Sequence, residues 1–389
     1  MLTRLDLDHF KCFASLRLPL APLTLLSGAN ASGKSSVMQA LALLHQTMRD
    51  HEWSDKLMLN GSVIDLGTVA DVVDQIYGSR ECMIALLDDE TPYQWTFAGE
   101  REDMAMGVTR VKIDDEVKNP SGLQRLLPSP YGKSHLAQRL HRLTYLTAER
   151  MGPRESYALD TAQHTPVVGT RGESAISILY AGRDDQVLPK LVLPERPPTR
   201  PRQVEEHMKR FFPGFALDLN KVPRTNSVTL GIRTSSATDY HRPANTGFGL
   251  TQVLPVIVAA LSAREEDLLL IENPAAHLHP AGQARMGHFL AEVAAAGVQV
   301  LVETHSDHVL NGIRRAVKDN TLPSKDVKLH FFRPRSEQPD GAAPQTAPQV
   351  ESPVIDANGN LDQWPDGFFD QFDKDMNYFA GWGRYGSSV

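Results

Sequence analysis

A short segment near the start of the chain constrains the fold more than any other. Residues 23–41, LTLLSGANASGKSSVMQAL, begin with an apolar run, continue through a glycine-rich turn and end with apolar residues at helical spacing. The turn matches the pattern G-x-x-x-x-G-K-[ST] at every fixed position, from Gly28 to Ser35. A strand, a glycine loop and a helix in this order predict a phosphate-binding loop in an α/β fold.

The residue types in this loop suit a nucleoside triphosphate. The glycines let successive backbone N–H groups point at phosphate oxygens, and the helix start adds partial positive charge. Lys34 can reach the β- and γ-phosphates, and the Ser35 hydroxyl can ligate Mg²⁺. We therefore predict ATP and Mg²⁺ as cofactors. The predicted nucleotide-binding residues here are Gly28, Ala29, Asn30, Ala31, Ser32, Gly33, Lys34, Ser35 and Ser36.

Composition limits the compartment and the partners. The 389 residues are enough for a large core and about two or three lobes. Because the formal net charge is −7, contact with nucleic acid requires a local basic patch. Cys12 and Cys82 are unclustered, which fits a reducing compartment. The charged N-terminus does not resemble a signal peptide, and the longest apolar run is too short to span a bilayer. We expect a soluble, cytoplasmic protein with no membrane contact.

Hydrophobic patterns divide the rest of the chain. Alternation in residues 2–10 and 15–20 predicts a hairpin that leads into the strand before the phosphate loop. After residue 250, helices alternate with strands at 268–271, 298–302 and 327–332, which predicts a parallel sheet with crossover helices. We predict a discontinuous core at 1–60 and 240–335 and an inserted β/helical lobe at 61–239. A flexible linker at 336–353 and a docking element at 354–389 follow.

Two later strands end in polar residues that complete a nucleotide site. The segment LLLIENPAAHLHP places Glu272 and Asn273 after four apolar residues, and VQVLVETHSDH places Glu303 and His305 in the same way. A phosphate loop needs a carboxylate at a neighbouring strand end for the metal ion, and Glu272 is the candidate. A histidine just past a core strand, such as His305, can reach a γ-phosphate.

These motifs, taken in order, resemble the nucleotide-binding head of ABC-type ATPases. The closest branch is the one shared by SMC, RecF-like and OLD (overcoming lysogenization defect) proteins. The resemblance rests on the hairpin with its phosphate loop, NTGFGLTQVLP, IENPAAHLHP and ETHS. The tail motif WPDGFFDQ, residues 364–371, is similar to one that closes a family of bacterial "AAA family" ATPases. The implied fold is a P-loop NTPase head with a mixed or parallel sheet, flanking helices and an inserted lobe.

The resemblance also implies roles for individual residues. Glu272 stands where the metal-site Asp usually lies, and His305 matches the switch histidine. Thr246, Gly247 and Gly249 stand where the signature loop lies, which in this superfamily caps the γ-phosphate bound by the opposite protomer. A segment containing Arg150 recurs in the family and is expected to face the nucleotide site. Pro255 should kink the helix that follows the signature loop or mark its real start.

Asn273 departs from the family pattern. The residue after the metal-site carboxylate is normally a Glu that orients the attacking water, and an amide cannot take the proton of that water. Glu303, at the end of an adjacent predicted strand, is the alternative base. We expect an ATPase whose catalytic residues are Glu272, Asn273, Glu303 and His305, with hydrolysis slowed by the substitution.

The implied function is that of an ATP-dependent switch. Two copies would sandwich two ATP, and the closed dimer would control a partner effector, expected to be a nuclease, in bacterial anti-phage defence or DNA maintenance. Because few residues follow Phe332, we expect no nuclease domain within this chain. The alternatives are an ABC transporter subunit and a RecF-like DNA repair clamp. DNA contact stays open, because the basic residues of this region are interspersed with Glu149, Glu155, Glu205 and Glu206; they are Arg139, Arg142, Arg150, Arg154, Arg196, Arg200, Arg202, Lys209 and Arg210.

Overall fold

The computed structural model describes residues 1–76, 78–159, 167–334 and 349–380. Its strands are β1 (Leu2–Phe10), β2 (Phe13–Pro19), β3 (Leu23–Gly28), β4 (Lys56–Met58), β5 (Glu81–Asp88), β6 (Thr91–Ala98), β7 (Ala105–Ile113), β8 (Glu116–Lys118), β9 (Thr144–Leu146), β10 (Tyr157–Ala158), β11 (Ala216–Lys221), β12 (Ser227–Arg233), β13 (Leu268–Glu272), β14 (Gln299–Glu303), β15 (Val327–Phe332) and β16 (Val350–Glu351). Its α-helices are α1 (Lys34–Asp50), α2 (Val69–Val72), α3 (His135–His141), α4 (Ala175–Ala181), α5 (Arg200–Lys209), α6 (Phe248–Ser262), α7 (Pro280–Ala295), α8 (Asp307–Lys318) and α9 (Gln371–Phe379). Short 3₁₀ helices occupy Tyr131–Lys133, Pro189–Leu191, Pro243–Asn245 and Ser324–Asp326.

A mainly parallel sheet forms the centre of the molecule, with strand order β16-β15-β3-β14-β13-β9. The five strands from β15 to β9 are parallel, and β16 pairs antiparallel at one edge. Alternate side chains enter two hydrophobic cores; Leu25 and Val302 face one, and Leu26 and Leu301 face the other. Burial on both faces explains the continuous apolar runs of these strands. The predicted α/β fold with a parallel sheet is confirmed.

An antiparallel sheet packs over α1, with strand order β2-β1-β5-β6-β7-β4 and β8 paired to β7. Strands β1 and β2 form the predicted hairpin, with Leu5 opposite Leu18, and β1 pairs on its other side with β5, where Leu5 lies opposite Leu86. The inward side chains of this sheet share one core with Val37 and Leu41 of α1. This packing places the β1–β2 turn beside the phosphate loop.

The division into core and inserted lobe stays a prediction. Strands β5 to β8 lie inside the range 61–239 but continue the sheet that β1 begins, and β9 extends the central sheet beside β13. Elsewhere in this range, α4, α5 and the small sheet β10-β12-β11 share a hydrophobic core with α6. The range therefore contributes strands to all three sheets.

Helix α6 is buried along most of its length, and Pro255 lies inside it. The expectation that Pro255 marks the real helix start is wrong, because the helix begins at Phe248. Gly172 packs against the proline: a Cβ on Gly172 would lie 2.5 Å from the Pro255 Cβ. Pro255 has no N–H to donate to the helical hydrogen bond at its position. Its close packing against the buried Gly172 accommodates it within the helix.

The described part of the tail packs against the central sheet and α8. Phe368 is 1% exposed, and its ring centroid lies 5.5 Å from that of Phe331. Arg314 donates from Nε to the Gly359 carbonyl at 2.6 Å and stacks over Trp364. Of the predicted linker, residues 336–348 lie outside the described residues, as do residues 381–389 of the predicted docking element. Within the described ranges, no helix is both long and apolar enough to cross a membrane.

Candidate nucleotide-binding site

The phosphate loop requires glycine at two positions. Gly28 and Gly33 have φ angles of 136° and 103°, in the region that favours glycine. A Cβ on Gly28 would lie 2.1 Å from the Phe332 carbonyl oxygen, and one on Gly33 would lie 2.5 Å from the Phe13 ring. Helix α1 begins directly after the loop, and its first N–H groups have no partner within the helix. These donors and the helix dipole suit a bound phosphate.

Lys34 is held at the centre of the loop. The side chain is 4% exposed, and its Nζ donates to the carbonyl oxygens of Gly28 at 3.1 Å and Ala29 at 2.7 Å. Burial lowers the pKa of Lys34, while the nearby Glu303 carboxylate partly opposes this shift. Beside the loop lies a cavity of about 190 Å³, lined by Lys11, Cys12 and residues 31–36.

Three neighbouring strands end at the same edge of the central sheet. Strand β14 lies between β3 and β13, with Glu303 opposite Leu26 on one side and opposite Glu272 on the other. Glu303 Oε1 lies 3.6 Å from Lys34 Nζ and 3.7 Å from His305 Nε2. The structure therefore gathers Lys34, Glu303, His305 and Glu272 at one strand edge, with Glu303 in the middle.

The electrostatic environment of this edge suits proton transfer by Glu303. Burial, together with the charge of Glu272, raises the pKa of Glu303, and Lys34 only partly offsets this. A raised pKa makes a carboxylate a better general base near neutral pH. Burial and the charge of Lys34 lower the pKa of His305, which favours its neutral imidazole.

Glu272 is fixed by Tyr145 of β9 and by the segment that follows this strand. The Tyr145 hydroxyl donates to Glu272 Oε1 at 2.7 Å, and the Ala148 N–H donates to Oε2 at 3.1 Å. Burial and the adjacent carboxylate raise the pKa of Tyr145, so its hydroxyl remains a donor. The sequence analysis missed Tyr145, although it lies at the start of the segment YLTAERMGPR, which also contains Arg150.

Arg150 holds the end of β13 through its backbone. It is 5% exposed and donates to the backbone oxygens of Glu272 at 2.5 Å and Asn273 at 3.1 Å. Burial lowers its pKa to about 10, so the guanidinium stays charged. Asn273 has a φ of 43°, and its N–H donates to the Glu303 carbonyl at 2.8 Å. Asparagine tolerates this left-handed conformation better than most residues.

The segment Thr246–Gly249 lies against the loop that follows β13. A Cβ on Gly249 would be 2.8 Å from the His277 carbonyl oxygen, and the Phe248 ring stacks edge-on against His277 at 4.9 Å. Gly247 is the N-cap of α6; it is exposed, and a Cβ there would have no neighbour within 4 Å among the described residues. The role of this segment opposite a second protomer stays a prediction.

Two families of AAA ATPases match the chain, and their ranges include the residues gathered at the strand edge, which are Lys34, Glu272, Glu303 and His305. Residues 1–116 match the family "AAA ATPase domain", and residues 137–311 match "AAA domain, putative AbiEii toxin, Type IV TA system". Both matches are to AAA ATPases, which supports ATPase activity of this chain. Residues 322–378 of this ATPase match a third family, "Protein of unknown function (DUF3696)". No curated protein matches the sequence.

Solved SMC heads are similar in structure to this chain. One is the SMC head bound to the C-winged helix domain of ScpA, with a TM-score of 0.51 and 15% identity, over 91% of this chain and 98% of that one. Another is the Pyrococcus furiosus SMC head with an extended coiled coil, bound to the C-terminal domain of ScpA; its TM-score is 0.49 at 13% identity, over 98% of both chains. The first of these supports the predicted P-loop head fold.

The residues of this AAA ATPase fit a magnesium nucleotide. Lys34 and the N–H groups at the start of α1 are cationic or donor groups suited to phosphates, and Ser35 and Glu272 offer oxygen ligands of the kind Mg²⁺ prefers. Bound Mg²⁺ neutralises charge that develops on the phosphates during transfer. The assignment of each residue to nucleotide or metal remains a prediction.

Proposed function

We propose that this ATPase dimerises around ATP, hydrolyses it, and uses the closed dimer to control a partner effector. The effector we favour is a nuclease, in bacterial anti-phage defence or DNA maintenance. The observation that carries the proposal is the meeting of Lys34, Glu303 and Glu272 at one strand edge, where a phosphate loop, a buried base and a metal-site carboxylate are neighbours.

Hydrolysis in this proposal depends on Glu303. Asn273 can orient a water through its amide but cannot accept a proton. Glu272 is the proposed metal ligand and is held in place by hydrogen bonds from Tyr145 and Ala148. Glu303 is left as the carboxylate next to Lys34 whose raised pKa suits it to take the proton of the attacking water.

We propose dimerisation because a single phosphate loop leaves one side of its nucleotide uncovered. One loop contacts the phosphates from one side, and the exposed Gly247 with the N-terminus of α6 offers backbone donors for a nucleotide held by another copy. The SMC head described above is bound to a domain of ScpA. By analogy, we propose that this head also engages a second protein.

Light scattering with and without a non-hydrolysable ATP analogue tests the dimer. Gly247→Arg should weaken the ATP-stimulated dimer while leaving nucleotide binding intact, because its φ of −59° and open surroundings accept a side chain. Gly249 is a poorer site for this test, because a Cβ there would press on the His277 carbonyl.

Val117→Arg is the matched control, since Val117 is 66% exposed on the short strand β8 and gains the same charge. Equal dimer mass for Gly247→Arg and Val117→Arg would show that Gly247 is not at the interface. A wild-type protein that stays monomeric with the analogue would contradict the dimer itself. Nuclease partners can be tested by ATP-dependent co-purification with the products of neighbouring genes, using Lys34→Ala as the nucleotide-free control.

A further inference from the structure

A basic cleft lies between α5 and the hairpin of β11 and β12. Its volume is about 310 Å³, and none of its lining residues belongs to the nucleotide site described above. Four cationic side chains line it, with one exposed aromatic ring: Arg196, Arg202, Lys209, Arg233 and Tyr240. Ligand pockets commonly measure about 300–1,000 Å³, so this cleft is large enough to hold part of a small ligand or one unit of a polymer.

The cations of the basic cleft outnumber the carboxylates that face them. Arg202 pairs with Glu205 at 3.0 Å, while Arg196 and Lys209 share Glu206 at 3.1 Å and 2.7 Å. The two carboxylates are largely buried, with side-chain exposures of 6% and 12%. The two carboxylates therefore hold three of the cations in place, and the four cations still exceed them in charge.

Arg233 is the fourth cation of the cleft, and it pairs with neither Glu205 nor Glu206. Among the residues that the structure describes, it has no ion pair, and its buried Nε has no hydrogen-bond partner. Its guanidinium lies 4.8 Å from the centroid of the Tyr240 ring, which remains 41% exposed. An unpaired guanidinium stacked on an exposed ring can contact a phosphate and leave the other ring face for a base.

The structure also separates the basic cleft from other arginines of the same region. Arg139 is buried against Asp88, and Arg142 pairs with Asp267 at 2.9 Å, so both serve packing. Arg150 holds the nucleotide site. In a chain with a formal net charge of −7, the clustering of four cations around one concave aromatic surface is a local electrostatic feature.

We propose that the basic cleft binds single-stranded nucleic acid. The cations contact the phosphate backbone, and a base stacks on the free face of Tyr240. This proposal is independent of the proposed dimer and effector, because the cleft uses none of the residues of the nucleotide site.

Fluorescence anisotropy with a labelled single-stranded oligonucleotide, in a series of salt concentrations, tests the proposal. Arg233→Gln should reduce the slope of log affinity against log salt by about 0.7, the share of one single-strand phosphate contact. Tyr240→Ala should lower affinity about tenfold through lost stacking, and Tyr240→Phe should keep it. Lys34→Ala should bind the oligonucleotide like wild type, which excludes binding at the phosphate loop.

Arg183→Gln is the matched control, because Arg183 also stacks on a tyrosine, Tyr180, at 5.5 Å but does not line the cleft. The proposal is overturned if Arg233→Gln and Tyr240→Ala bind like Arg183→Gln. It is also overturned if wild type does not bind, if duplex of the same length binds as well, or if a mononucleotide competes as well as the strand. Thermal melting of each variant shows whether it is folded.

Discussion

Replacing Glu303 by glutamine tests which residue acts as the general base. Glutamine keeps the size of the side chain and an oxygen facing Lys34, whose Nζ lies 3.6 Å from Glu303 Oε1, but it cannot take a proton. A positioned base is worth about 10²–10⁴ in rate, or about 2.7–5.4 kcal/mol in the activation barrier. Because the neighbouring carboxylate, Glu272, is the proposed metal ligand and is held in place by Tyr145 and Ala148, it does not replace the lost base, and we expect a loss of at least about 10²-fold.

Nucleotide binding should survive the same substitution. Without the carboxylate, the charge of Lys34 is fully available to phosphates, so ATP affinity should stay equal or rise. Phosphate release at saturating ATP gives the rate, and titration with a fluorescent ATP analogue gives the affinity. Glu265→Gln is the control, an exposed carboxylate before β13, at the opposite end of that strand. If Glu303→Gln hydrolyses ATP at the rate of Glu265→Gln, the assignment of the base is wrong.

Three further predictions concern the same site. Lys34→Ala should abolish ATP binding, since the buried cation that donates into the loop is lost; unchanged affinity for a fluorescent analogue would contradict this. Tyr145→Phe should raise the Mg²⁺ concentration needed for half-maximal activity about tenfold, because Glu272 loses its hydroxyl donor; an unchanged Mg²⁺ titration would argue against this positioning role. The rate should fall as pH drops through the pKa of Glu303, which burial and the charge of Glu272 raise, because the base must be ionised; this acid limb should be missing in Glu303→Gln.

The rate predicted for Asn273→Glu depends on the backbone conformation of residue 273. The family pattern alone leads us to expect an equal or higher rate for Asn273→Glu. Asn273 has a φ of 43°, a left-handed conformation that asparagine tolerates better than glutamate does. The substitution should therefore cost the folded state about 1–2 kcal/mol. A slower Asn273→Glu protein would therefore inform on catalysis only if its thermal stability matched that of wild type.

The sequence shows the elements of the site because they are locally encoded. Gly28 and Gly33 must adopt left-handed backbone angles, so their spacing alone predicts the phosphate loop. Strands buried on both faces need continuous apolar runs, which is why β3, β13 and β14 are recognisable without a structure. The polar residues that end β13 and β14 are visible in the same pattern.

The roles of single arginines and glycines could not be predicted in the same way. Arg139 and Arg196 lie in equally basic stretches, yet one is buried against Asp88 and the other lines an open cleft. Gly247 and Gly249 are two residues apart, yet a Cβ on Gly247 would meet no described neighbour, whereas one on Gly249 would press on the His277 carbonyl. Burial and close contact depend on neighbours that are distant in the chain.

By itself, then, the sequence determines that this chain has an α/β head with a phosphate loop and polar strand ends. Only the tertiary structure decides which of these ends meet. Glu303 faces Lys34 because β14 inserts between β3 and β13 in one register, and that register is set by the elements packed on both faces of the sheet. Tyr145 reaches Glu272 because β9 joins the central sheet beside β13. The two residues are 127 positions apart in the chain, so no local pattern could show that they touch.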